Sequence, residues 1–297
     1  MRDICLALEA SNINFKKRLP LKEYSGFHIG GYAELGIFPK TEKELTDSIA
    51  LLKNSGKKYY IVGNGSNLLF GDGIIEAPLI FTSKVRGLRA DGEKIYASAG
   101  DSLASLASLA AENGLTGLEF AKGIPGTVGG ALFMNAGAYG GEMSDVTELS
   151  VAYDSASGVT VEITEHKFGY RTSIYMNNTE LVCLGAVFSL KIGDKTEINE
   201  KMKVFAESRR EKQPLNLPSA GSYFKRPEGH FAGKLIEDAG LKGYRVGDAC
   251  VSEKHAGFIV NLGNATAEDV LRLEEYVRAT VLGRFGIELE REVRIIN

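Results

Sequence analysis

Gly123-Ile124-Pro125-Gly126-Thr127-Val128-Gly129-Gly130-Ala131, running on into Asn135-Ala136-Gly137-Ala138-Tyr139-Gly140-Gly141, is the stretch on which the reading of this chain turns. Each glycine adds chain entropy that folding must remove. What the cluster supplies is backbone without a Cβ, able to bring N–H groups against the oxygens of a phosphate or pyrophosphate. Tight turns in a strand-rich core account for any one of these glycines; the whole run reads as a ligand cradle. A second run lies upstream, where Lys58-Tyr59-Tyr60-Ile61-Val62 reads as a buried strand and Gly63-Asn64-Gly65-Ser66-Asn67 follows directly. Its spacing approaches G-x-G-x-x-G, but Leu68 stands where the third glycine belongs. Gly71-Asp72-Gly73 then turns the chain where that fingerprint opens a helix, so a Rossmann domain is a poor fit.

At 297 residues, 44% of them hydrophobic, the chain is long enough for about two domains. A net charge of −3 without a basic block argues against nucleic acid as a partner. No apolar run is long enough to span a bilayer, and Met1-Arg2-Asp3-Ile4 does not open a signal peptide. The expectation is a cytoplasmic protein with neither a membrane contact nor an obligate protein partner. Cys5, Cys183 and Cys250 form no C-x-x-C pair and read as reduced thiols. His28, His166, His230 and His255 show no metal spacing, so no metal site is expected.

Thr41-Glu42-Lys43-Glu44 has the form of a capping box, with Leu45, Ile49 and Leu52 following at helical spacing and Gly56 as the stop. Strands are expected at 59–62 and 94–99. A helix is expected from Ser102 to Asn113, with Leu103, Leu106 and Ala110 on one face. Residues 148–153 and 159–164 read as a hairpin around Asp154-Ser155-Ala156-Ser157-Gly158, and 180–191 as a further strand. Ile192-Gly193-Asp194-Lys195 is the best boundary. Beyond it come a basic helix near 197–212, a proline-marked loop at Pro214–Pro218, and two helices, the second starting at Thr266 and closed by Gly286. Residues 287–296 read as a last strand. The fold class expected is α+β, with a first domain over 1–192 in two lobes split near 83. A smaller α/β domain follows over 193–297, its last strand returning to the active site.

Three more segments matter together: Phe168-Gly169-Tyr170-Arg171-Thr172-Ser173, Ala220-Gly221-Ser222-Tyr223-Phe224-Lys225-Arg226-Pro227, and Leu289-Glu290-Arg291-Glu292-Val293-Arg294. With the two glycine runs they make the chain resemble the UDP-N-acetylenolpyruvoylglucosamine reductase family of bacterial cell-wall synthesis, across nearly its whole length. The resemblance implies an FAD-binding domain of the vanillyl-alcohol-oxidase/p-cresol-methylhydroxylase type followed by a substrate-binding domain, with FAD held non-covalently. It implies that Gly63, Asn64, Gly65, Ser66 and Asn67 line the cofactor, together with Gly123, Ile124, Pro125, Gly126, Thr127, Gly129, Gly130, Asn135 and Gly137. It further implies that NADPH reduces the flavin, NADP⁺ leaves, and UDP-N-acetylglucosamine enolpyruvate takes its place. Hydride then passes to the enolpyruvyl methylene carbon. The short stretch between Tyr170 and Cys183 leaves no room for a long insertion, which implies the compact branch without the extra substrate-covering loop.

The chemistry explains the residue types. Hydride addition leaves negative charge on the neighbouring carbon and its carboxylate, and fixed positive charge there stabilises the transition state more than the ground state. By the resemblance, Arg171 is that charge, a permanent planar fork suited to a carboxylate; alone it reads as a surface arginine at a strand edge. Glu292 alternates away from Ile287, Leu289, Val293 and Ile295, so periodicity alone makes it solvated. The family gives the matching glutamate a catalytic role. An ionised carboxylate repels a developing enolate, so a protonated Glu292 donating a hydrogen bond is expected. Ser222, in isolation a turn serine after Gly221, matches the residue that protonates the carbanionic carbon. Lys212 matches a substrate-contacting lysine. Arg226 stands where relatives carry asparagine, and an arginine there can serve a diphosphate. His255 reads as structural. The rival readings are another flavoprotein of the same fold, a nucleotide-sugar binding protein that has lost its flavin, and a Rossmann dehydrogenase.

Overall fold

Several helices of this chain start where a side chain caps them. The computed structural model describes Met1–Asn297. Helix α1 covers Arg2–Ala10 and α2 Glu42–Asn54. Thr41 Oγ1 accepts from the Glu44 N–H at 3.1 Å, but the Glu44 carboxylate takes the Lys40 N–H at 2.8 Å, so half of the expected box forms. Helix α3 (Leu103–Glu112) is capped by Ser102, and α4 (Val128–Met134) by Thr127. The glycine run therefore opens a helix, against its glycine content, because Thr127 caps it and Val128, Ala131 and Leu132 bury one face. Then follow α5 (Ile174–Asn177), α6 (Lys195–Lys212), α7 (Ala232–Asp238) and α8 (Ala267–Phe285). A reciprocal Thr266–Asp269 box starts α8, and Gly286, at φ 68°, ends it.

Two compact units divide the chain. The first comprises Met1–Lys17, Leu35–Asn64 and Ala77–Arg209. In it an antiparallel sheet runs in the order Val159–Ile163, Thr147–Asp154, Leu181–Ser189, Lys94–Ser98, Arg89–Asp91. Helices α3, α4 and α6 close one core against it, through Leu103, Leu106, Ala131, Leu132, Ile198 and Met202. A second core joins α1 and α2 to a parallel set in which Ile80 pairs with Ile37 on one side and Ile61 on the other.

The second unit comprises Arg18–Glu34, Gly65–Glu76 and Arg210–Asn297. Its antiparallel sheet runs Ser219–Ser222, Phe258–Asn261, Ala249–Val251, Arg245–Val246. Against it α8 packs Val270, Leu273, Val277 and Val281, as their spacing predicts.

The structure redraws several expectations. The first unit runs past 192 because Ile198 and Met202 of α6 are buried in its core, and residues 18–34 and 65–76 join the second unit. The turn at 63–67 leads into the strand Leu68–Phe70, not a helix, which removes the Rossmann reading. The last strand is shorter than 287–296. Residues 290–292 pair briefly with 223–225 through Lys225 N–H to Glu290 O (2.8 Å) and Glu292 N–H to Tyr223 O (2.9 Å). The chain then bends at Val293 and changes partner, so that only Arg294–Ile296 is regular strand, parallel to Leu68–Phe70. The 180–191 strand likewise stops at Ser189, and Lys191–Ile192 pairs elsewhere, with Leu115–Thr116.

Candidate active site

Buried backbone groups must find partners, so an inventory of N–H groups shows which glycine run can serve a ligand. None of Gly63, Asn64, Gly65 and Ser66 finds a carbonyl for its N–H within the protein, whereas the Gly65 carbonyl accepts from Gly26 (3.1 Å) and Leu68 (3.4 Å). Acceptors are tied inward and donors are left over, the polarity that anionic oxygens require. Gly65 sits at φ +65°, and a Cβ there would meet the Tyr24 carbonyl oxygen at 2.0 Å. A Cβ on Gly63 would lie 2.4 Å from Thr127 Oγ1, so the first run and the cap of α4 meet in closest backbone approach.

The second run is different. The N–H groups of Ile124, Gly126, Val128, Gly129 and Ala131 donate to carbonyls at 2.8–3.1 Å, and that of Gly130 to Thr127 Oγ1 at 3.4 Å. Pro125 has none. The run expected to cradle phosphate is mostly committed to holding α4 on the strand end at Ala99 and Asp101. Asn135, expected to line the cofactor, is tied into the protein. It is 0% exposed and caps α4 in the left-handed region (φ 44°). Its amide donates to Gly169 O (3.1 Å) and accepts from Ser144 N (3.0 Å), leaving no surface for a cofactor.

Asn135 instead braces the turn that carries Arg171. Gly169 and Thr172 exchange backbone hydrogen bonds across Tyr170-Arg171, and Arg171 sits at φ 56°. A non-glycine residue persists in that region only where its surroundings enforce it. Here the enforcing contacts are Asn135 on Gly169, Ser173 Oγ on Phe133 O (2.9 Å), and the Ile174 N–H on His166 O (2.6 Å). The Arg171 guanidinium lies over the Tyr170 ring and reaches the Gly137 carbonyl at 3.4 Å. Between Tyr170 and Cys183 there is only the four-residue α5 and its flanks.

In the second unit, Ser222 ends its strand exposed, after Gly221 at φ 79°. Glu292 is half-buried. Its N–H donates to the carbonyl of Tyr223, next to Ser222, and its own carbonyl accepts from Asn67 Nδ2 at 3.2 Å. The Arg294 N–H adds a bond to Asn67 O at 3.0 Å. Ser222, Glu292 and Asn67, far apart in the chain, are thus brought together. Lys212 is exposed at the end of α6. Arg226 is exposed and lies over the Phe231 ring, 4.7 Å from its centroid. His255 is structural: its Nδ1 accepts from the Gly257 N–H at 3.1 Å, and burial lowers its pKa.

Three residues escape sequence reasoning. Arg209 packs its side chain against Gly123. It is half-buried, and burial lowers its pKa. Gln213, beside Lys212, buries a side-chain carbonyl oxygen with no donor. Glu274 lies on the buried face of α8, a carboxylate among Val270, Leu273 and Val277. Its helical spacing was the available signal. An open cleft of the first unit, about 600 Å³ and lined by Lys40, Glu42, Arg86, Arg89, Tyr96 and Ser98, contains none of the site residues.

Comparison with known proteins agrees on one family. Residues 33–164 match the family model of the FAD binding domain, and residues 213–296 that of the UDP-N-acetylenolpyruvoylglucosamine reductase C-terminal domain. The reductase of that name from Caldicellulosiruptor bescii is 49% identical over 293 residues, 98% of this chain and 93% of the relative. That of Caldanaerobacter subterraneus is 48% identical over 94% of this chain and 92% of its own length. The crystal structure of the Thermus caldophilus enzyme superposes with a TM-score of 0.79 at 34% identity, covering 96% of this chain and 99% of that one. An alkyldihydroxyacetonephosphate synthase shares only the fold, at 14% identity and a TM-score of 0.50 over 65% of this chain and 44% of its own.

Proposed function

The chain belongs to the UDP-N-acetylenolpyruvoylglucosamine reductase family, and on that premise we propose that Arg171, Ser222 and Glu292 carry its chemistry. The protein is a flavin-dependent oxidoreductase of α+β fold, with an FAD-binding domain of the vanillyl-alcohol-oxidase/p-cresol-methylhydroxylase type. It uses NADPH to reduce UDP-N-acetylglucosamine enolpyruvate to UDP-N-acetylmuramate, a step of peptidoglycan precursor synthesis. We assign the reaction to the cytoplasm; no helix is long and apolar enough to cross a membrane.

The residues present suit FAD. The unclaimed N–H groups of Gly63, Asn64, Gly65 and Ser66 fit its pyrophosphate, and the half-buried Arg209 guanidinium fits an anionic oxygen beside Gly123. Bound there, the cofactor supplies the hydride relay between NADPH and the enolpyruvyl group. The protein's own groups then do the rest. Arg171 neutralises the substrate carboxylate as charge builds on it. Ser222 gives its hydroxyl proton to the carbon next to the carboxylate and regains one from water. Glu292, protonated, donates a hydrogen bond to the same enolate-like system and is not consumed. Lys212, Gln213 and Arg226 serve the nucleotide-sugar end, Lys212 and Arg226 as cations for its diphosphate and Gln213 as an acceptor for a donor group.

The observation that carries this reading is the Glu292 N–H bond to the Tyr223 carbonyl, which joins the segments bearing Ser222 and Glu292. An anaerobic absorbance trace tests it. NADPH should bleach the bound flavin, and adding UDP-N-acetylglucosamine enolpyruvate should return the colour. Bleaching without return would leave the flavoprotein fold and remove the substrate.

A further inference from the structure

One ionic cluster, built on a buried carboxylate, takes no part in the chemistry above. Glu274 of α8 is 5% exposed. Its Oε2 accepts from the Tyr223 hydroxyl at 2.8 Å and from Arg291 Nη1 at 3.1 Å. Its Oε1 lies 4.0 Å from Arg278 Nη1, and Arg278 in turn bonds Glu288 at 2.9 Å. Tyr223 follows Ser222 and is itself fully buried, its ring set edge-on to Phe27 and Phe224. Arg291 precedes Glu292. The same carboxylate oxygen therefore holds the chain neighbours of both Ser222 and Glu292.

Burying a carboxylate in an apolar helix–sheet core costs desolvation that leucine or methionine would not incur, so such groups tend to specify an arrangement where they do not add stability. Here the arrangement is a pairing of only three residues a side, 223–225 against 290–292, held by the two backbone bonds that make one isolated bridge at Phe224 and Arg291. A pairing so short specifies its register weakly, and a slip by one residue would turn Glu292 to the opposite face. A shared anchor on Tyr223 and Arg291 removes that freedom.

We propose that Glu274 is a positioning residue, a clasp that sets the register of the Glu292 segment against the Ser222 segment and so fixes the distance between the proton donor Ser222 and the hydrogen-bond donor Glu292. The clasp is a statement about chain geometry; only its effect on rate rests on the function proposed above.

The experiment uses the flavin-loaded full chain with Tyr223→Phe, which deletes one oxygen from the cluster, and Glu274→Gln, which removes its charge. Two readouts are taken: amide hydrogen exchange at Glu292, and the two half-reactions measured separately. Losing a hydrogen bond to a charged group corresponds to roughly tenfold to hundredfold in an equilibrium, so Glu292 exchange should speed up by at least about tenfold. Flavin bleaching by NADPH should stay within about twofold, while recolouring by the enolpyruvyl substrate slows by about tenfold or more. In a Ser222→Ala background Tyr223→Phe should cost little further.

Unchanged Glu292 exchange in Tyr223→Phe would overturn the clasp, as would equal loss of both half-reactions or a full multiplicative loss on top of Ser222→Ala. If Glu274→Gln does not fold, Tyr223→Phe decides alone. If Ser222→Ala recolours normally, the serine assignment fails instead, and the exchange measurement still judges the clasp.

Discussion

Arg171 shows how much chemistry a backbone can enforce on one side chain. Its positive φ is held by bonds on either side of the Tyr170-Arg171 turn, so the guanidinium is placed by a strained turn and not by a flexible stem. Glu292 poses the sharper question, because a carboxylate helps an enolate only if it carries its proton. Glu292→Gln keeps a donor of the same reach, so its recolouring rate should exceed that of Glu292→Ala by at least about tenfold. Equal rates would show that the carboxyl does not act as a neutral donor. Ser222→Ala should still bleach with NADPH and then stall on substrate; loss of both steps would point to misfolding.

At the scale of elements, the conspicuous glycines divide their labour. The short 63–66 turn keeps its N–H groups for a ligand, while 123–131 spends most of its own on seating α4. Asn135, at the end of that helix, links it to the Arg171 turn. Asn135→Gly keeps the left-handed backbone but deletes both amide bonds, leaving the half-buried Ser144 N–H without its partner and the Gly169 C=O with the Thr172 N–H alone. The expected cost is about 1–3 kcal/mol, read as a lowered urea midpoint at unchanged slope. A recolouring rate that falls more than the bleaching rate would follow from a loosened Arg171. An unchanged midpoint would mean that other contacts hold the turn.

For the whole molecule, one buried and one half-buried histidine set a pH dependence. Burial lowers the pKa of both His166 and His255 below the ordinary 6.5. His166 sits in the first unit with its Nε2 at 2.8 Å from Ser150 Oγ, and Ser150 also bonds Tyr175 at 2.6 Å. Below 6.5 the unfolded chain binds protons that the folded chain refuses, so stability rises with pH there. The contribution is complete above the unfolded value and is lost as pH falls below about 6.5 toward the depressed folded values. Melting temperature should therefore drop between pH 7.5 and 5.5. His166→Gln and His255→Gln together should flatten that slope even where they lower the maximum. A slope that survives both would assign the effect to other groups.

The sequence by itself determined the class of fold, several of its elements and the family. Those depend on local periodicity, caps and short ordered motifs: Val270, Leu273, Val277 and Val281 announce α8, and Thr266 with Asp269 its start. Ser222 and Glu292 were legible only through resemblance, since a turn serine and an alternating glutamate carry no local mark of chemistry. Tertiary structure decided everything that depends on partners distant in the chain. It showed which glycine run has N–H groups to offer, because a donor is free or taken only with respect to its neighbours in space. It turned Asn135 from a cofactor contact into a brace, and it cut the last strand where the chain exchanges 223–225 for 68–70. It also gave Glu274 and Arg209 their meaning. Burial, and the presence or absence of an opposite charge, are properties of the folded chain that no run of adjacent letters records.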